Sequence, residues 1–541
     1  MLTAAIFIPI VAAIVFAVIP KRHVAAASGE AARQAEGTLD AGPEGHADES
    51  LTGLPSTAAA DSRADVARRA NERTMQIVAT VVAAVPLLLM VVAWLRFDGT
   101  GGFEQVEAVS WIPTLGIGYR VGIDGLSLPL AAMTTLIFVV AIAYPVDLRG
   151  RAAPYFALML FLLGVSLGLF LALDLFLFFV FWDLSLVGMY FLIGAWGHGN
   201  AQRSALKFFV YTFAGSLALL LAILGIYLAT EPRTFDMAEI IRQQPLPATG
   251  VYATLVFLGF FIGFAIKTPL VPFHTWLPPA HVDAPGPASA ILAAVLLKMG
   301  TYGFVRILMA MMPGTFERFA LPIGILAVVS ILYGSLVALA QSNLKRMVAY
   351  TSVNHMGYVM LGLAAAGASV AGAADAQAIA LTGATVEMVA HGLITGALFL
   401  ISGSLFARTK TYEMDEYGGL AGRARALTGL TVLAAFASLG LPALAGFVAE
   451  FQIFVGAVAV YPALAVVGLV GIVITAALFL RMLQKLFLGP LPIRWADFRE
   501  LGRVEILALG ALLAVVVVIG VIPAWLLNVV DSFAGPLVGR G

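Results

Sequence analysis

The stretch FAIKTPLVPFHTWLPPAHVDAPGPASAILAAVLLKMG, Phe264 to Gly300, sets two lysines, two histidines, an aspartate and six prolines between segments apolar enough to lie in lipid. A charged side chain at mid-bilayer costs roughly 2.5 to 3.5 kcal/mol on the lenient insertion scale, and a proline inside a helix costs about 3 kcal/mol. Pro269 and Pro272 lack the N–H groups that would bond carbonyls one turn earlier, which frees acceptors near Ala265 and Thr268. At membrane depth such backbone is tolerated only within protein or beside a water-lined cavity. Lys267 adjoins the break with the three donors of its ammonium; His274 follows seven residues on and His281 seven after that. Histidine takes or gives a proton near neutral pH. A broken helix carrying titratable groups, with Lys298 as the next station, reads as part of a proton relay.

The composition frames this reading. Of 541 residues, 61% are hydrophobic and 11% charged, whereas an ordinary globular chain has about a quarter charged, so this is an integral membrane protein. Basic and acidic residues balance at 31 each, which points to neither nucleic acid nor an acidic partner. Cysteine is absent. That excludes disulfides, Cys-ligated iron-sulfur clusters and thiol catalysis, leaves haem through histidine formally open, and assigns redox chemistry to partners. No cofactor or metal motif stands out. The glycines of GYRVGIDG (Gly118 to Gly125) lack the strand-to-helix context of a phosphate loop and read as a loop entering a third helix.

Apolar runs of about twenty residues, long enough to cross roughly 30 Å of hydrocarbon, fall near 2–20, 75–95, 125–146, 154–173, 175–196, 205–229, 251–268, 287–310, 320–340, 346–365, 378–406, 426–460, 463–488 and 504–529. The expectation is an all-α polytopic membrane protein of about fourteen transmembrane helices. Residues 1–20 form a retained first helix, because the basic KRH follows the apolar run where a signal peptide has its charge in front. Residues 21–74 are rich in Ala, Gly, Ser and mixed charge and read as a disordered cytoplasmic insert. Helices two and three occupy 75–152, and the last helix with the C-terminus occupies 489–541. Residues 97–124 and 230–250 read as amphipathic connectors. Loops after odd-numbered helices hold Lys21, Arg22, Arg149, Arg151, Lys345, Arg346, Lys410 and Arg423, while the alternate loops hold few basic residues. Both termini are therefore expected on the non-cytoplasmic side of a plasma membrane.

Ionisable residues within the predicted helices are Asp183, Lys207, Lys267, His274, Lys298, His355, Glu387, His391 and Glu450. Each competes with a bland reading, a snorkelling lysine or a structural ion pair, and for Lys207 the two readings weigh equally. A second break, LGLPALAGFVAEFQIF (Leu439 to Phe454), carries Pro442, Gly446 and Glu450, and Glu387 and His391 share one helix face. Lys207 and Asp183 precede Lys267 by 60 and 84 residues; His391 and His355 precede Glu450 by 59 and 95. Residues 153–312 and 320–488 thus read as two inverted five-helix repeats, each with a broken fourth helix, an arrangement that marks an ion pathway near the membrane midplane.

At this point FFVFWDLSLVGMYFLIGAWG (Phe178 to Gly197), KTPLVPFHTWLPPAH (Lys267 to His281), LKRMVAYTSVNHMGYV (Leu344 to Val359) and AHGLITGALFLISGSL (Ala390 to Leu405) are long, ordered motifs over roughly residues 75–530. They resemble the antiporter-like subunits of respiratory complex I, the proton-translocating NADH-quinone oxidoreductase. Glu450 in GFVAEF, where the L and N subunits carry lysine, and the stop soon after helix fourteen point to the M (chain 4) branch. The resemblance implies that Asp183 pairs with Lys267 and that Lys267 is the switching proton carrier. It also implies that Lys298, His274, His355 and His391 continue a hydrated axis and that Glu450 passes the proton outward, with His281 as a further candidate. NADH, FMN, iron-sulfur clusters and quinone would then belong to partner subunits, with the L and N subunits as neighbours in a bacterial inner membrane. The family has glutamate where this chain has Asp183 in FWD, one methylene shorter. The same scaffold serves the D-type subunits of multisubunit sodium/proton antiporters and the membrane arms of energy-conserving hydrogenases, and a passive spacer with paired buried charges is the bland alternative.

Overall fold

Lipid offers no hydrogen bonds, so every backbone group at membrane depth must be satisfied within the chain, and helices do this locally. The computed structural model describes residues 1–18 and 57–539, and its helices follow from that demand. Helices α1 (Leu2–Val18), α2 (Thr57–Leu95) and α3 (Ser127–Ala143) come first. The first block of five comprises α4 (Ala152–Leu171), α5 (Leu175–Trp196), α6 (Ala201–Ala229), the interrupted pair α8 (Val251–Lys267) and α9 (Leu277–Asp283), and α10 (Gly286–Met309), with a short α7 (Met237–Gln243) in a connector. The second block comprises α11 (Pro313–Leu339), α12 (Leu344–Ala366), α13 (Ala374–Thr409), the interrupted pair α14 (Arg425–Ser438) and α15 (Ala445–Val460), and α16 (Pro462–Phe487). Helices α17 (Arg503–Val521) and α18 (Ala524–Leu537) end the chain. With each interrupted pair taken as one crossing and α18 left aside, these elements supply the expected fourteen.

Three expectations are corrected. The insert over 21–74 lies mostly outside the described residues, but from Thr57 onward the chain is already the first part of α2. The connector over 97–124 contains an antiparallel hairpin of β1 (Glu104–Ile112) and β2 (Ile117–Ile123), in which Val109 faces Tyr119. GYRVGIDG is therefore mostly strand: the short alternation of EQVEAVSWI is a strand period that amphipathicity alone does not separate from a helical connector. The last apolar run, 504–529, is cut at Pro523, where α18 begins as a separate helix.

Burial sorts the helices. The apolar window of α10 is wholly buried and that of α13 is 89% buried, against 33% for α16. The first two are the axis of the bundle, while α16 presents Val466, Val470 and Val473 outward, as a lipid-facing helix does. Polar side chains on α10 and α13 are consequently held in the interior.

Both interruptions are closed in one way. After α8, the Leu270 N–H donates to the Ala265 carbonyl at 3.0 Å; after α14, the Leu441 N–H donates to the Phe436 carbonyl at 3.1 Å. Each is the six-to-one bond of a helix C-cap of the Schellman type, and in the second Gly440 takes the left-handed position at φ +76°. The acceptors expected to be free near Ala265 are thus occupied by backbone. Trp276 Nε1–H donates to the Ile266 carbonyl at 2.9 Å, and the Val271 N–H to Ser330 Oγ on α11 at 3.1 Å. Lys267 and Ser438 each stand two residues past the accepting carbonyl, so these two residues correspond. Glu450 lies beyond its break and Lys267 before its own, and the sequence spacing that set them in parallel does not describe the observed register.

Candidate proton-relay site

In the first block, α8 carries Lys267 to its C-terminal end, where the side chain is buried. Its Nζ donates to Ser185 Oγ on α5 at 3.0 Å and lies 4.7 Å from the Trp182 ring centre. Trp182 Nε1–H in turn donates to Ser216 Oγ on α6 at 3.0 Å. Asp183 makes no direct ion pair with Lys267, and its Oδ1 has no hydrogen-bond partner. Facing accounts for the difference from the expected pair: Ser185 turns its hydroxyl to the ammonium, and Asp183, two residues earlier, stands about 200° around the helix axis from it.

A longer array runs from the last helix of the first block into the second block. Lys298 sits on α10 between two π-helical segments, Leu292–Leu296 and Phe304–Met309. Such segments widen the helix and present carbonyls to side chains, and Lys298 Nζ donates to the Ala293 carbonyl at 2.7 Å. The same Nζ lies 2.6 Å from His391 Nδ1 on α13. The His391 ring is 5.3 Å, centre to centre, from the ring of His355 on α12. His355 Nδ1 lies 3.1 Å from Glu387 Oε1 and 3.6 Å from Glu450 Oε1, and its Nε2 lies 3.2 Å from Ser438 Oγ. All five titratable groups are at most 4% exposed. Ammonium, two imidazoles and two carboxylates from four helices form one buried string, and Glu387 and His391 stand on one face of α13 as their spacing predicts.

The blocks meet at the Lys298–His391 contact and echo each other in their breaks. A Cβ at Gly300 would lie 2.4 Å from Thr268 Oγ1 and 2.8 Å from the Phe264 carbonyl, so α10 seats directly on the first break, two residues past Lys298. The residue before each break meets the second helix of its own block: Lys267 meets Ser185 on α5, and Ser438 meets His355 on α12.

Other predicted residues lie off the string. His274 packs against Tyr333 and Tyr350 with Nδ1 unpartnered, and His281 stacks on Phe399 at 4.3 Å with both ring nitrogens unpartnered. Lys207 is exposed and donates to the Thr275 carbonyl inside the first interruption. Of the residues marking the breaks, Pro269, Pro272 and Pro442 lie in the non-helical gaps, while Gly446 is already inside α15.

Sequence reasoning missed several buried charges, Lys345, Arg306 and Asp124 among them. Lys345, counted among surface loop cations, is 0% exposed, bonded to the Ala284 carbonyl and 5.2 Å from the Tyr412 ring centre, while Arg346 faces out. Adjacent helical residues point about 100° apart, so a Lys-Arg pair opening a helix sends one charge inward. Nearby, burial and the charges of Lys345 and Arg149 hold the loop residue His198 down at about 4. Arg306 on α10 pairs with Asp124 at 2.6 Å, both buried, and also bonds Tyr302 Oη at 3.1 Å. An arginine inside an apolar run, YGFVRILM, was the available signal.

Comparison with known proteins places this geometry. The family described as NADH:quinone oxidoreductase/Mrp antiporter, TM, matches residues 172–475, a range that contains both breaks and the whole string. NADH-quinone oxidoreductase subunit M of Pseudomonas aeruginosa is 39% identical over 476 residues, 83% of this chain and 90% of that relative. F(420)H(2) dehydrogenase subunit M of Methanosarcina mazei is 35% identical over 459 residues, 83% and 90% of the two chains. A chain of respiratory complex I from Thermus thermophilus with bound NADH superposes with a TM-score of 0.81 at 27% identity, over 100% of both chains.

Proposed function

The chain belongs to the NADH:quinone oxidoreductase/Mrp antiporter transmembrane family, and on that premise we propose that it is an M-type membrane-arm subunit of complex I that moves protons across the membrane. The observation that carries the proposal is the buried string from Lys298 through His391 and His355 to Glu387 and Glu450. Burying five titratable groups without surrounding them by fixed counter-charges is costly, and a string of donors and acceptors is the arrangement that gives such groups work.

In this reading a proton on Lys298 passes along the 2.6 Å contact to His391 Nδ1. Imidazole accepts at one ring nitrogen and releases at the other, which carries the proton toward His355 and then to Glu387 or Glu450. The step between the rings, 5.3 Å apart at their centres, has no direct hydrogen bond, and passage is controlled there. Lys267, held by Ser185 against the break on which α10 rests, supplies the string ahead of Lys298, with Asp183 biasing it electrostatically rather than by contact. His274 and His281 serve the approach to Lys267 and Lys298 rather than the string itself.

The electron donor lies elsewhere in the complex. Two relatives of similar identity are named for different donors, NADH and F(420)H(2), as expected if this subunit never meets the donor. NADH, FMN, iron-sulfur clusters and quinone are assigned to partner subunits, and L- and N-type subunits to the flanks in the membrane. Fourteen crossings put both termini on one side; the basic loops that include Arg149, Lys410 and Arg423 assign that side as non-cytoplasmic.

The experiment is Lys298→Met and Glu450→Gln in the intact complex in inverted membrane vesicles. NADH-driven acidification should fall in both variants while uncoupled NADH:quinone electron transfer persists. Wild-type acidification in both variants refutes the relay. Co-purification of the chain with small antiporter subunits, in place of flavin and iron-sulfur subunits, refutes the assignment to complex I.

A further inference from the structure

We propose that His355, Glu387 and Glu450 form a binding site for a divalent cation of the zinc type, buried where α12, α13 and α15 meet. The inference stands on the donor set and does not depend on the chain carrying protons. One imidazole nitrogen and one oxygen from each carboxylate lie within 4.8 Å of one another. His355 Nδ1 is 3.1 Å from Glu387 Oε1 and 3.6 Å from Glu450 Oε1. A tetrahedral cation with bonds of about 2.0 to 2.2 Å separates its ligand atoms by roughly 3.3 to 3.6 Å. The two separations from His355 Nδ1 stand close to that spacing, and the carboxylate oxygens lie within 4.8 Å of each other.

Three further observations support a cation rather than a chance cluster. Glu387 is 1% exposed, yet its Oε2 has no hydrogen-bond partner, and the same holds for Nε2 of His391, whose ring adjoins that of His355. Ser438 Oγ lies 3.2 Å from Nε2 of His355 and fixes the ring with Nδ1 turned to the carboxylates, the role of an outer-shell partner in metal sites. Beside Glu450, Gly440 lets the carboxylate pack directly against the backbone, where a Cβ would stand 2.5 Å from Glu450 Oε2, and so holds Glu450 in place.

The chemistry selects the ion. Two carboxylates and a neutral imidazole compensate a doubly positive charge, which matters in an apolar interior. Imidazole suits zinc and its neighbours, whereas calcium requires six to eight oxygens and magnesium a nearly ideal, largely hydrated octahedron. Binding exchanges the cation for the protons held between imidazole and carboxylates, which leave to solvent; no electron is transferred.

Equilibrium binding of radiolabelled Zn2+ to the intact, chelator-stripped complex in detergent tests the site. The complex bearing Glu387→Gln together with Glu450→Gln should bind one zinc equivalent fewer than wild type, with excess Mg2+ unable to compete. Equal stoichiometry, or displacement by Mg2+, overturns the proposal. The wild-type complex gives a reading independent of variant assembly: zinc bound at substoichiometric loading should show X-ray absorption from one imidazole with carboxylate oxygens. A spectrum with sulfur ligands or without imidazole overturns it equally.

Discussion

Replacing Asp124 by asparagine isolates the anchor that holds α10 in place. Asp124 does two things: Oδ2 pairs with the Arg306 guanidinium at 2.6 Å, and Oδ1 accepts from Leu126 N at 3.2 Å and Ser127 N at 2.9 Å at the start of α3. Asparagine caps a helix about as well as aspartate, so Asp124→Asn keeps the second role and removes the charge of the first. Arg306 then remains buried with the Tyr302 hydroxyl and the rings of Phe103, Tyr302 and Phe533, 5.0 to 5.4 Å from its Cζ. Removing one partner of a buried pair costs about 3 to 5 kcal/mol, which lowers the folded-to-unfolded ratio by roughly two to three and a half powers of ten. Asp124→Ala should cost about 1 kcal/mol more through the lost cap. Asp124→Leu combined with Arg306→Met should be far milder than either charge deletion, because no unpaired charge remains. Pulse proteolysis of the complex in membranes across a denaturant series measures the unfolded fraction. A cost below about 1 kcal/mol for Asp124→Asn, the range of exposed pairs, would refute the view that Arg306 depends on Asp124.

Gly440→Ala forces a side chain into the left-handed region, at about 1 to 2 kcal/mol, and sets a Cβ 2.5 Å from Glu450 Oε2; proton pumping should fall with uncoupled electron transfer intact, as acidification assays would show. Gly300→Ala must displace backbone at Phe264 and Thr268 as well as a side chain, so an overpacking cost of about 1 to 3 kcal/mol should appear as a lower melting temperature of the complex. His198 ionises at about 4 because burial and the nearby Lys345 and Arg149 oppose its charge, while an unfolded histidine ionises near 6.5. Between those values the unfolded chain binds the extra proton, so stability falls as pH drops through that window; thermal denaturation of His198→Phe should show a shallower decline from pH 6.5 to 4 than wild type.

Depth was legible in the sequence and facing was not. The fourteen crossings, the two breaks and the five members of the string follow from hydropathy, prolines and a short roster of buried charges, because each is a property of a contiguous segment. Contacts between helices are set by rotation about the helix axis, which a single sequence states weakly. Thus Lys345 and Arg346, neighbours in sequence, part to the interior and the surface. His274 and His281, seven residues apart and expected to share a face with Lys267, turn to aromatic neighbours because the chain between Thr268 and Trp276 is not helical. Asp183 and Lys267 satisfy charge logic yet do not meet, since the face of α5 turned to Lys267 is that of Ser185. The Arg306–Asp124 pair spans 182 residues of chain, a separation at which no local pattern operates.

The π-helical segments on either side of Lys298 set the facing of α10 by number of residues rather than by their kind. Each adds a residue to a turn, so Leu292–Leu296 acts as an angular spacer ahead of Lys298, and Phe304–Met309 is a second widened turn that carries Arg306 within it. Exchanging one aliphatic residue for another there leaves the angles unchanged. Deleting a single residue from Leu292–Leu296 would restore an ordinary turn and swing everything beyond it by about 100°, parting Lys298 from His391 and Arg306 from Asp124 without altering any of those four side chains. In this helix the length of the chain is itself a functional element, to which comparisons of residue identity alone are blind.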